Sequence, residues 1–87
     1  MTNINIYCLF DKEESLHGVY SSIKAVHRDA LKICNRGISG VFVRSEEGME
    51  KASIGFLRNL FKGEMDKKVK YVSDYGEVTI LKTGLRE

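Results

Sequence analysis

Asn3-Ile4-Asn5-Ile6-Tyr7-Cys8-Leu9-Phe10 is the stretch on which the fold turns. Polar and apolar residues alternate at its start, the period of a strand with one buried face, which puts Ile4, Ile6, Cys8 and Phe10 on the core side. Its apolar end, Ile6 to Phe10, predicts a central strand covered on both faces. The charged turn Asp11-Lys12-Glu13-Glu14-Ser15 then leads into a second strand-like run, Leu16 to Tyr20. The chain therefore opens as a hairpin.

Working outward, Ser21 or Ser22 supplies a hydroxyl that can cap a helix. Ile23, Val26, Ala30, Ile33 and Cys34 follow at steps of three and four and share one face. Gly37 suits the residue after such a helix, where positive φ is needed. Gly40-Val41-Phe42-Val43-Arg44 reads as a strand. Ser45-Glu46-Glu47 predicts the start of a second helix, a capping hydroxyl followed by acids at the positive end of the dipole. Its apolar stripe is Met49, Ala52, Ser53, Phe56, Leu57, Leu60 and Phe61, and Gly63 ends it. Ile54 falls off that stripe; it, Phe56 and Phe61 are candidate partner contacts or the last pieces of core. Val69 to Ser73 and Glu77 to Lys82 form a closing hairpin around Asp74-Tyr75-Gly76. The expected fold is a single α+β domain over residues 1–87, in the order β-β-α-β-α-β-β, with a mostly antiparallel sheet and two packed helices.

Composition agrees. The chain has 87 residues, 43% hydrophobic and 30% charged, enough for one core and no second domain. Nothing approaches the roughly 20 apolar residues of a membrane span. Met1-Thr2-Asn3 lacks the basic and apolar regions of a signal peptide. Two cysteines cannot make the disulfide framework of a small secreted domain, so a reduced, cytoplasmic setting is expected.

The constellations that carry chemistry are thin. His27 and Cys34 share a helical face but lie about 10 Å apart by rise, too far for a nucleophile and its base. Cys8 is expected to be a buried, unreactive strand thiol. A Cys8–Cys34 disulfide is geometrically open but disfavoured in a reducing compartment. Cys8, His17, His27 and Cys34 do not match zinc-ligand spacing. Glu13-Glu14 and Glu46-Glu47 are adjacent acids rather than a pair held across a cleft. Gly37-Ile38-Ser39-Gly40 lacks the lysine of a phosphate-binding loop. The chain reads as a non-enzymatic protein without a metal or other cofactor.

The sharper signal is electrostatic. Lys24, Arg28, Lys32 and Arg36 recur at steps of four along the first helix, drifting about 40° per step, so all four share one broad side. Like charges at this spacing cost a few tenths of a kcal/mol per pair. From Tyr20 to Arg44 there are five bases and one acid, Asp29, a local charge of +4 in a chain of net +2. Lys24, Arg28, Lys32 and Arg36, with Arg44 nearby in sequence, are the candidate contacts for an acidic partner. Lys67, Lys68 and Lys70 could extend a basic track for nucleic acid if the tail lies beside the first helix, with Tyr71 and Tyr75 as stacking faces. The pI of about 8.6 falls below the usual footprint of a nucleic-acid domain.

Ile6-Tyr7-Cys8-Leu9-Phe10, then Gly18-Val19-Tyr20-Ser21-Ser22 and a helix containing Ala25, resembles small bacteriophage accessory proteins over the first third of the chain. That resemblance implies a protein that binds and redirects a host factor or blocks a host defence, and it carries no site residue. The expected function is thus a soluble binding protein that inhibits or modulates a host protein through a basic helix face. The alternatives are nucleic-acid binding through the same stripe and sequestration of a nucleotide signal.

Overall fold

A computed structural model describes residues 4–35, 40–45 and 48–85. The elements are β1 (Ile4–Asp11), β2 (Leu16–Tyr20), α1 (Ile23–Cys34), β3 (Phe42–Ser45), β4 (Gly48–Lys51), α2 (Ile54–Phe61), β5 (Lys67–Val72) and β6 (Glu77–Leu85). The six strands form one antiparallel sheet in the order β2-β1-β6-β5-β3-β4. The expected α+β domain is present, with both hairpins where the turn residues place them.

Each helix begins at a serine whose hydroxyl accepts from a backbone N–H that would otherwise lack a partner. Ser22 Oγ accepts from Ala25 N at 3.2 Å, and Ser53 Oγ from Phe56 N at 3.1 Å. α1 ends at Asn35 rather than at Gly37. Asn35 takes the left-handed conformation, φ 55°, and its N–H donates back to Leu31 O at 3.0 Å. Gly37 and Arg36 lie outside the described residues, as do Glu46 and Glu47.

Other expectations are corrected as well. The second helix starts at Ile54, not near Ser45: Gly48–Lys51 pairs with β3 instead, in register from Ser45 and Gly48 to Phe42 and Lys51. Gly48 adopts φ 126°, which a glycine takes readily and a helix does not use. Met49 therefore leaves the helical stripe and stands exposed on the edge strand.

The buried face of β1 is also the opposite one. Tyr7 and Leu9 are buried, whereas Ile6, Cys8 and Phe10 are half-buried and Ile4 is 45% exposed. The core joins Tyr7 and Leu9 to Val26 and Ala30 of α1, Leu57 and Phe61 of α2, and Val43, Val69, Tyr71, Val78 and Ile80 of the sheet. The Tyr7 and Phe61 rings lie 5.7 Å apart. Both helices thus cover one face, and the alternate residues of every strand form a second, open face. Cys8 is on that open face and is not the buried thiol expected of it; Cys34 is fully buried.

Polar groups within the core are matched. Lys82 is 8% exposed, and its Nζ donates to Phe61 O at 2.7 Å, placing a cation at the negative end of α2. Ser73 Oγ, in the β5–β6 turn, donates to Cys34 O at 2.7 Å and ties that turn to the end of α1. No helix of the described residues is long and apolar enough to cross a membrane.

Candidate functional site

Lys24, Arg28 and Lys32 are all exposed along α1, and the structure brings them to one groove of about 500 Å³ between α1 and the start of α2. Leu31 and Ile54 supply its apolar floor, and His27 and Asn35 also line it. Eight residues separate Lys24 from Lys32, so the cations span about 12 Å. Ile54, off the helical stripe in sequence, lies beside α1 rather than in the core.

Asp29, the single acid of α1, is turned to other work. Tyr20 Oη donates to its Oδ2 at 2.7 Å, and Arg28 Nε to its Oδ1 at 3.3 Å. The Tyr20 hydrogen bond, aided by Arg28 and Lys32, holds the carboxyl below its ordinary range. Among the described residues Lys24 and Lys32 make no ion pair.

His27 is the residue that sequence reasoning missed as part of this groove. It is 8% exposed, and Nδ1 lies 2.6 Å from the hydroxyl of Tyr71, which is fully buried. The two rings meet edge to face, with centroids 5.6 Å apart. A phenol has one proton to give. Donated to Nδ1, it leaves the one ring proton of the neutral imidazole on Nε2, and the phenol and Nδ1 satisfy each other. Burial lowers the His27 pKa and raises that of Tyr71, so both are neutral near pH 7. The groove is therefore floored by a neutral imidazole and two aliphatic side chains, and lined by three cations.

The remaining candidates do not join it. Tyr71 and Val69 face the helices, so Lys68 and Lys70, alternate on the same strand, project from the open face. Arg44 pairs in register with Lys70 and shares that open side. Lys67 lies on the helix side, with Nζ 3.7 Å from Glu64. Lys70 Nζ donates to Glu77 at 3.3 Å. Among the described residues no basic track joins α1 to Lys68 and Lys70. Tyr71 is not a stacking face; Tyr75, in the turn, is 64% exposed.

Catalytic chemistry finds little to use. The Cys34 thiol is pushed up by burial, away from the thiolate form, and its Sγ lies 3.8 Å from Tyr71 O. His17 Nε2 meets Asp11 Oδ2 at 2.9 Å in the exposed first hairpin, with no nucleophile hydrogen-bonded to either among the described residues. Among the described residues, no group of three or more His, Cys, Asp or Glu side chains could hold a metal ion. Comparison of the chain with protein-family models, with curated proteins and with solved structures finds no match in any of the three.

Proposed function

We propose that this protein is a non-enzymatic binding protein that captures an acidic segment of a partner protein in the α1 groove. The observation that carries the reading is the union of Lys24, Arg28 and Lys32 with an apolar floor of Leu31 and Ile54. The cations meet carboxylates, and the floor takes an apolar side chain of the same segment. About 12 Å of groove matches about four extended residues or two turns of helix. Exposed cations of this kind set association rate and specificity more than affinity, while the apolar floor slows release.

A phosphate backbone has no use for an aliphatic floor; of the β5 lysines that would lengthen a basic track, Lys68 and Lys70 project from the opposite side of the sheet and Lys67 lies beside Glu64. Both features favour a protein partner over nucleic acid. The likeness of the first third to small bacteriophage accessory proteins supports a host protein as that partner, inhibited or redirected by occupation of its acidic segment.

The test is retention from a nuclease-treated bacterial lysate on the immobilised chain, beside the variant K24E/R28E/K32E and the variant Ile54→Asp. The reading expects one protein in stoichiometric amount, lost from both variants. Retention that both variants preserve, material that disappears with nuclease, or no retained protein would each contradict it.

A further inference from the structure

We propose that His27 is the specificity-determining residue of the α1 groove. Its Nε2–H is a fixed hydrogen-bond donor that, with the Lys24 ammonium, holds one carboxylate of the bound segment. Tyr71 is the positioning residue that keeps the proton on Nε2. The ligand chemistry rests on the α1 reading; the state of the imidazole does not.

His27 is more than nine-tenths buried, yet it lines the groove. Its two ring nitrogens have unlike surroundings. Nδ1 is turned to the core, 2.6 Å from the hydroxyl of the fully buried Tyr71. Nε2 has no hydrogen-bond partner among the described residues. Among those residues no side-chain nitrogen or oxygen is both sealed from solvent and unpaired, so Nε2 is not sealed, and the groove is the surface onto which it opens. The core side decides where the proton is. Burial disfavours the imidazolium, so the ring carries a single proton. Were that proton on Nδ1, it would donate to the Tyr71 oxygen and strand the phenol proton, because Nδ1 is the hydroxyl's one hydrogen-bond partner among the described residues. The phenol therefore donates, and the N–H is on Nε2.

A ring held between helix and sheet cannot turn to suit a ligand, so this donor has one direction. The long exposed cations of the groove can follow an anion over a wide range; Nε2–H accepts a partner at one place only. Lys24 stands one turn before His27 and Leu31 one turn after it, and residues at these spacings are neighbours on a helix surface. Arg28 Nε is drawn to Asp29, whereas Lys24 makes no ion pair among the described residues. A carboxylate has one oxygen for Nε2–H and another for the Lys24 ammonium. A glutamate side chain places that group while its methylenes, or an apolar neighbour in the same segment, cover Leu31 and Ile54. A carboxamide of the same shape has one acceptor oxygen and no charge for Lys24, so the site discriminates against it.

The test is NMR of the isotope-labelled full chain, in which the ring couplings report which imidazole nitrogen carries the proton. It is followed by titration with a blocked tetrapeptide of alternating glutamate and leucine, and with its glutamine counterpart. The wild type should carry the proton on Nε2 near neutral pH. Tyr71→Phe takes the donor away from Nδ1, and both tautomers should then be populated. The glutamate peptide should shift the His27 Nε2–H resonance and bind at least about tenfold more tightly than the glutamine peptide. H27L/Y71F, which keeps the core filled, should weaken the glutamate peptide about tenfold. A proton on Nδ1 in the wild type would overturn the proposal whatever the peptides do. Equal binding of the glutamate peptide by the wild type and H27L/Y71F would also overturn it, and would leave the α1 reading standing. Binding of neither peptide would overturn both.

Discussion

Tyr71→Phe removes one oxygen from the core and tests how the floor of the α1 groove is held. Tyr71 is fully buried and its hydroxyl meets His27 Nδ1 at 2.6 Å. The variant ring fills almost the same space, so the cavity contribution is small. What it leaves is a buried imidazole nitrogen with no donor, a loss of about 1–3 kcal/mol. In a domain of this size each kcal/mol lowers Tm by about 4–8 °C, so thermal unfolding should move by roughly 5–20 °C. His27→Leu strands the phenol in the same way. The double variant H27L/Y71F removes both polar groups and should recover much of either single loss. The assay is thermal and urea unfolding of the four proteins. If Tyr71→Phe leaves Tm unchanged, or the double variant loses the sum of the singles, the pair is not held as described.

The same pair sets a pH dependence. Burial lowers the His27 pKa in the folded chain, while the unfolded chain titrates near the ordinary value of about 6.5. The unfolded state therefore binds the extra proton first, and stability falls as pH drops below about 6.5. Urea midpoints at pH 7.5 and pH 5.5 should show this fall in the wild type, and H27L/Y71F should flatten it. Lys82→Ala takes away the buried ammonium that Phe61 O accepts from, and should cost about 1–3 kcal/mol in urea unfolding. Asn35 sits at φ 55°, so Asn35→Val should destabilise by about 1–2 kcal/mol while Asn35→Gly is nearly neutral, read from the same midpoints.

Much of this fold is written in local patterns. The Ser22 cap, the three- and four-residue spacing of α1 and the Asp74-Tyr75-Gly76 turn each depend on neighbours in sequence, and each is where its residues place it. The errors have equally local causes. Asn3 and Asn5 imply that odd positions of β1 face solvent, yet Tyr7 and Leu9 are the residues that reach the helices. Ser45-Glu46-Glu47 has the composition of a helix start, but pairing with β3 overrides it, and Ser53 caps the helix instead. The cationic half of the groove is legible because Lys24, Arg28 and Lys32 repeat on a single helix. Its floor is not, because Ile54 comes from another element and Tyr71, which fixes His27, is 44 residues away. Nor does spacing in sequence reveal that Lys68 and Lys70 project from the far side of the sheet.

The central claim is that cations and apolar floor act together on an acidic protein segment. It is tested most directly by titrating the protein retained from lysate against the wild type, K24E/R28E/K32E and Ile54→Asp, at low and high salt. The account predicts that charge reversal mainly slows association and reduces its salt dependence, whereas Ile54→Asp mainly speeds dissociation. Both variants should keep the wild-type unfolding midpoint within about 1 kcal/mol, since the side chains changed lie outside the core. Unchanged affinity in both variants would contradict the account.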